Sequence, residues 1–111
     1  MRQPVHVTAV VVLLAGTLPA SLAQAQDAAA GKAKAAACAM CHGPQGIAVA
    51  PDTPNLAGQP ASYLSEQLKA YRGGTRKHEI MTLMAKPLAD ADIANLAAWF
   101  SSIKVEVSAT K

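Results

Sequence analysis

Bulky aromatic side chains are scarce in this chain of 111 residues, which holds one Trp, one Phe and two Tyr. A small domain with so few of them cannot build a generous hydrophobic core from its own side chains. The 51% hydrophobic content overstates the supply, because many Val and Leu residues lie near the N-terminus and much of the remainder is Ala. Cysteine is limited to Cys38 and Cys41. A structural zinc site needs four ligands of the Cys/His kind, and beyond Cys38, Cys41 and His42 the chain has only His78 and His6. There is no strongly basic stripe and there are no interleaved aromatics, which excludes a nucleic-acid partner. No segment alternates like a sheet strand; Val105 to Val107 is too short and terminal, and is expected to fray. Repeats and low-complexity linkers are absent too, leaving one all-α unit.

The N-terminal segment has a charged start at Arg2, an apolar run from Ala9 to Ala15, and Ala23-Gln24-Ala25 as an A-x-A cleavage site. That is the layout of a secretory signal peptide. A membrane anchor would want about twenty apolar residues, and Thr17, Pro19 and Ser21 interrupt the run. There is no twin arginine and no lipid-bearing Cys near the cleavage site, which favours the general secretory route. Residues 1–25 are therefore expected to be removed, and residues 26–111 to form a single domain in the periplasm without stable membrane insertion. Once Arg2 has left, acids and bases nearly balance.

Three helices are predicted. The first, about Ala28 to Ala37, puts Gly31, Ala35 and Cys38 on one small face. The second begins near Pro60, carries Leu64, Leu68 and Tyr71 on one side, and stops at Gly73-Gly74. The third starts near Ala89 or Asp90 with acids in its first turn, shows Ile93, Leu96, Ala97, Phe100 and Ile103 as an apolar stripe, and ends near Ser102 or Ile103. Between the first two lies Gly43 to Gln59, rich in turn residues and expected to be an extended loop. A loop of that length has a job, and wrapping one face of a flat cofactor is such a job. The Arg72 to Lys77 group is read as a solvated loop.

Cys38-Ala39-Met40-Cys41-His42 supplies that cofactor. C-x-x-C-H is the spacing by which a c-type haem is attached covalently. Two thiols three positions apart on a helical turn can each add to one porphyrin vinyl group, and His42 is then carried beneath the iron. A thioredoxin-like C-x-x-C would follow a strand, whereas an alanine-rich helix precedes this one. A plain disulfide leaves His42 unexplained. The macrocycle also fills the core that the aromatics do not, and its propionates would roughly cancel the remaining positive charge. An electron carrier needs the opposite axial position closed, for which a Met thioether is the natural candidate. Met81 and Met84 both lie between the second and third helices, while Met40 sits inside the motif and points from the wrong place. His78 is a further candidate for that position, giving a bis-His haem, although a solvated loop His is the favoured reading. Tyr63, Tyr71 and Arg76 are candidates to hold a propionate or simply face solvent.

These residues resemble the class I c-type cytochromes, particularly the small bacterial ones of the cytochrome c-553 and cytochrome c4 kinds. The resemblance covers essentially the whole of 26–111. It rests on Gly31, Cys38-Ala-Met-Cys41-His42-Gly43, Pro54-Asn-Leu-Ala-Gly58-Gln59, Tyr63-Leu64-x-x-Gln67-Leu68, Gly74-x-Arg76, and Met81 seven residues before Leu88-Ala-Asp-Ala-Asp-Ile93. It implies a small cytochrome c fold of three main helices and loops around one haem, with His42 and Met81 as the axial iron ligands. Met84 is then expected to pack in the core. The resemblance further implies that the Pro54 carbonyl accepts the other ring N–H of His42, and that Gly31 lets the first helix cross the last near Trp99 and Phe100. Ala89 departs from the Ser that often caps the last helix, a change expected to weaken its start by about 1 kcal/mol.

The function expected is diffusible one-electron transfer in a respiratory chain. The donor would be a quinol-oxidising complex or dehydrogenase, and the acceptor a redox protein such as a terminal oxidase. Two alternatives share the haem: an electron-accepting subunit of a periplasmic dehydrogenase, and a ligand-binding haem protein with an open iron site. The chain lacks a second catalytic constellation, so it is not expected to be an enzyme itself.

Overall fold

Asp27 opens the first helix. Its carboxylate accepts the backbone N–H groups of Ala29 at 2.9 Å and Ala30 at 3.0 Å, which lets a run of alanines begin cleanly. The structure is a computed structural model that describes residues 26–109; the expected signal segment, 1–25, lies outside the described residues. Helix α1 spans Ala28–Lys34. The chain stays helical through Ala37 as expected, but tightens to a 3-10 turn at Ala35–Ala37, where the Cys38 N–H reaches back only three residues to the Ala35 carbonyl at 2.9 Å. It then relaxes into α2, Ala39–His42. Gly43, at φ +77°, ends α2, and a Cβ there would lie 2.0 Å from the Ile47 carbonyl oxygen. Only glycine fits that turn.

The segment from Gly43 to Gln59 has no regular structure, yet its backbone is tied at several points. The Gly46 carbonyl accepts from Leu56 at 2.7 Å and Ala57 at 3.0 Å, the Cys41 carbonyl accepts from Val49 at 3.0 Å, and the Gly58 N–H donates to the Phe100 carbonyl at 2.9 Å. Helix α3, Ala61–Gly73, follows Pro60 directly and stops at Gly74, close to the expected bounds. Helix α4, Glu79–Ala85, adds a helix to the three expected. Helix α5, Asp90–Ser102, buries Ile93, Leu96, Ala97 and Phe100, as its stripe predicted. Among the described residues there is no strand, and no helix is long and apolar enough to cross a membrane.

Helix α5 packs against both α1 and α3, and the core of Ala35, Leu64, Leu96, Ala97 and Phe100 sits between them. The α1–α5 crossing is close because Gly31 has no side chain: an added Cβ would stand 1.9 Å from the Asn95 carbonyl oxygen and 2.9 Å from the Trp99 Cβ. Around that point the Asp27 N–H donates to Asn95 Oδ1 at 2.9 Å, the Lys32 ammonium lies 5.3 Å from the Trp99 ring centre, and Lys34 pairs with Asp92 at 3.2 Å.

Two expectations about polar residues are corrected. Arg72 is not part of a solvated loop: it lies in the last turn of α3 and reaches across to the turn before α5, donating to the Leu88 carbonyl at 2.8 Å and to Asp90 Oδ1 at 2.6 Å. Helix α5 also starts more firmly than Ala89 suggested. Asp92 Oδ2 accepts the Ala89 N–H at 2.9 Å, so the half of a capping box that Ala can join is present. Val105 to Val107 shows no regular structure, although a Cβ added at Gly58 would meet Val105 Cγ2 at 3.2 Å.

Gly31→Ala forces backbone apart rather than a flexible side chain. The holoprotein should lose about 3 kcal/mol, the upper end of typical overpacking costs, read as a lower urea midpoint. Arg72 beside Asp90 holds that carboxyl below its usual range. The Ala89 N–H, with Lys34, does the same for Asp92. Depressed carboxyls contribute stability above the ordinary carboxylate pKa of about 4, and that contribution is lost as pH falls through the lowered values. The double variant Asp90→Asn, Asp92→Asn should therefore show a flatter fall in melting temperature below about pH 4.

Candidate functional site

The thiols of Cys38, the residue before α2, and Cys41, within it, carry no disulfide and are half-buried. Burial pushes the Cys38 thiol up. His42, one residue beyond Cys41, is buried at 7% exposure. Its Nδ1 lies 2.8 Å from the Pro54 carbonyl oxygen. A carbonyl can only accept, so Nδ1 carries the proton and Nε2 keeps its electron pair free for a metal. The carbonyl is in place because the loop doubles back on itself: Asn55, next to Pro54, accepts the Ala48 N–H through Oδ1 at 2.7 Å.

The other candidate ligands lie on α4. Met81 is half-buried and shares a face with Ala85, four residues on, which is fully buried. Met84 is 38% exposed, so the expected core packing of Met84 is corrected. It lies with Ile80 and Leu83 on the exposed side of α4, because successive helical residues point about 100° apart and Met84 is next to the buried Ala85. Met40 is 84% exposed, consistent with a position that neither thiol nor imidazole geometry uses. His78 is not a plain solvated loop residue. It is the N-cap of α4, its Nδ1 accepting the Met81 N–H at 3.3 Å while its own N–H donates to Thr82 Oγ1 at 3.1 Å.

Of the three residues considered for a propionate, Tyr71 is buried and Tyr63 is exposed. Arg76 stacks over Tyr71, 4.6 Å from its ring centre, and donates to Gln67 Oε1 at 2.6 Å. The sequence reading missed α4, its His cap and the Arg72 bridge. Glu79 in a first turn and Pro87 just past the end were the available signals.

These residues fit a covalently held haem. Two unpaired thiols, an imidazole with a free Nε2 and a half-buried thioether form a nitrogen and sulfur donor set suited to haem iron. Large apolar side chains lie uncovered on the loop, α3 and α4, among them Ile47, Tyr63, Ile80 and Leu83. A bare cation is less well served, since among the described residues no three His, Cys, Asp or Glu side chains cluster to hold one.

Residues 28–104 match the Cytochrome c family. The chain belongs to that family. It is 52% identical over 81 residues to cytochrome c-554(548) of Halomonas halodenitrificans, a match covering 70% of this chain and 98% of that protein. The solved structure of reduced recombinant cytochrome c4 from Pseudomonas stutzeri superposes with a TM-score of 0.69 at 43% identity, over 75% of this cytochrome and 48% of that chain. A thiosulfate dehydrogenase electron acceptor of Thiomonas intermedia is 42% identical over 77 residues, covering 68% of this chain and 36% of that protein. This cytochrome thus spans nearly all of the first relative and about half or less of the other two. Its cofactor is haem c, its fold the small cytochrome c fold, and its function electron transfer.

Proposed function

We propose that this cytochrome is a periplasmic one-electron carrier, with Cys38 and Cys41 forming the two thioethers and His42 and Met81 the axial ligands of one haem. The observation that carries the reading is the 2.8 Å contact between His42 Nδ1 and the Pro54 carbonyl, which holds the ring and leaves Nε2 free. When bound, the haem supplies an iron that alternates between ferrous and ferric. The chain's own residues keep that change small in structural terms. Pro54 fixes the His42 ring, the tied loop holds Pro54, and α4 would offer Met81 from a separate element as the second ligand. A thioether ligand also favours the reduced state relative to a second imidazole.

The donor in this reading is a quinol-oxidising complex or a dehydrogenase, and the acceptor a terminal oxidase or similar redox protein. A second reading makes the chain the electron-accepting subunit of a periplasmic dehydrogenase. The likeness to a protein named as the electron acceptor of thiosulfate dehydrogenase favours it. Native gel filtration separates the two, because a subunit co-elutes with a larger enzyme and a carrier does not. In neither reading is the chain an enzyme by itself.

Replacing Met81 by Ala should abolish the near-infrared sulfur-to-iron band of the ferric protein and open the ferrous protein to carbon monoxide. Met84→Ala should leave both properties unchanged. The reverse pattern reassigns the ligand, and a wild-type protein that lacks the band and binds carbon monoxide readily has an open iron site. We further propose that residues 1–25 are a signal peptide. Mass spectrometry of protein exported from a Gram-negative host should then give a mature chain starting at Gln26 and carrying one haem.

A further inference from the structure

We propose that His78 is a positioning residue for Met81, holding the thioether against the iron through the backbone of α4. The inference rests on the reading of Met81 as axial ligand. Helix α4 has seven residues, too few to be stable without help from its ends and its packing. Its C-terminal end is well anchored: Ala85 is fully buried, the Leu88 N–H donates to the Ala85 carbonyl at 3.1 Å, and Arg72 holds the Leu88 carbonyl at 2.8 Å. The other end depends on one bracket. His78 Nδ1 accepts at 3.3 Å from the N–H of Met81 itself, and Thr82 Oγ1 accepts from the His78 N–H at 3.1 Å.

Two features set this cap apart from a routine one. N-caps are usually Ser, Thr, Asp or Asn, whereas here an imidazole does the accepting, which places its ring proton on Nε2. Its acceptor also meets the main chain of the very residue whose side chain faces the iron. The approach to α4 is tied to α3, the Arg76 N–H donating to the Ala70 carbonyl at 3.1 Å, and α4 packs against α3; at the first turn itself Glu79 and Ile80 are exposed, so the His78 bracket is the polar contact that closes that end. Loss of the bracket therefore frees the turn that carries Met81 while leaving the α1–α5 crossing and the proximal His42 contact untouched.

The test uses the haem-loaded mature protein and three variants. His78→Ala removes the acceptor and should raise the ferrous carbon monoxide association rate about fivefold, the factor that a lost helix cap is worth. It should also weaken the ferric near-infrared band and lower the reduction potential, because the Met-off state becomes more populated. His78→Asn offers an amide oxygen at the same position and should restore all three readouts. Thr82→Ala removes the reciprocal bond and should act in the same direction, which keeps the proposal testable if His78→Ala fails to load haem. The inference is overturned if His78→Ala and Thr82→Ala match wild type in the band and the carbon monoxide rate, or if His78→Asn behaves like His78→Ala. Retention of the band in Met81→Ala would instead defeat the ligand assignment on which the inference rests.

Discussion

The contact between His42 and the Pro54 carbonyl ties the function of this cytochrome to its fold. An imidazole on the four-residue α2 could rotate about its side-chain bonds, and a ring that turns presents no defined nitrogen to a metal. The carbonyl settles both the tautomer and the plane. Its own position depends on a loop without regular structure, held by the Gly46 and Cys41 carbonyls and by Phe100 of α5. The His42 ring and the loop beside it are thus fixed by hydrogen bonds to the backbone, which suits a chain poor in large side chains.

Helix α5 is the frame on which the rest is hung. Gly31 lets α1 approach the Asn95 backbone, and α1 leads through one tight turn into the cysteine motif, so the register of that crossing sets where Cys38 and His42 emerge. On the other side, Arg72 links the end of α3 to the start of α5 and holds the turn that follows α4. The cysteine-bearing segment and the turn that follows α4 are therefore referred to the same helix through different contacts, one steric and one polar.

The bounds of α3 and α5 were legible because their punctuation is local: Pro60 before one, Gly73-Gly74 after it, Asp90 and Asp92 at the start of the other. The cysteine motif was legible because its chemistry demands a fixed spacing. Helix α4 was not, since it is short, its apolar residues fall on both sides, and its cap is a histidine rather than one of the usual residues. Arg72 was misread for a different reason. Its partners Leu88 and Asp90 are distant in sequence, and nothing local distinguishes a bridging arginine from a solvated one. Ala89 misled in a similar way, because its substitute support comes from Asp92 side-chain geometry that a residue-by-residue comparison does not weigh. Met84 is expected in the core once the resemblance makes Met81 the ligand, but the phase of the unanticipated helix α4 turns it outward.

The segment between α2 and α3 shows that irregular backbone need not be loose backbone. With the amides of Val49, Leu56, Ala57 and Gly58 all donating to main-chain carbonyls, solvent deuterons should enter this stretch about as slowly as they enter the helices flanking it. A wall that seldom opens responds little when the charge beside it changes by one, and such stiffness keeps the nuclear rearrangement accompanying each electron hop small.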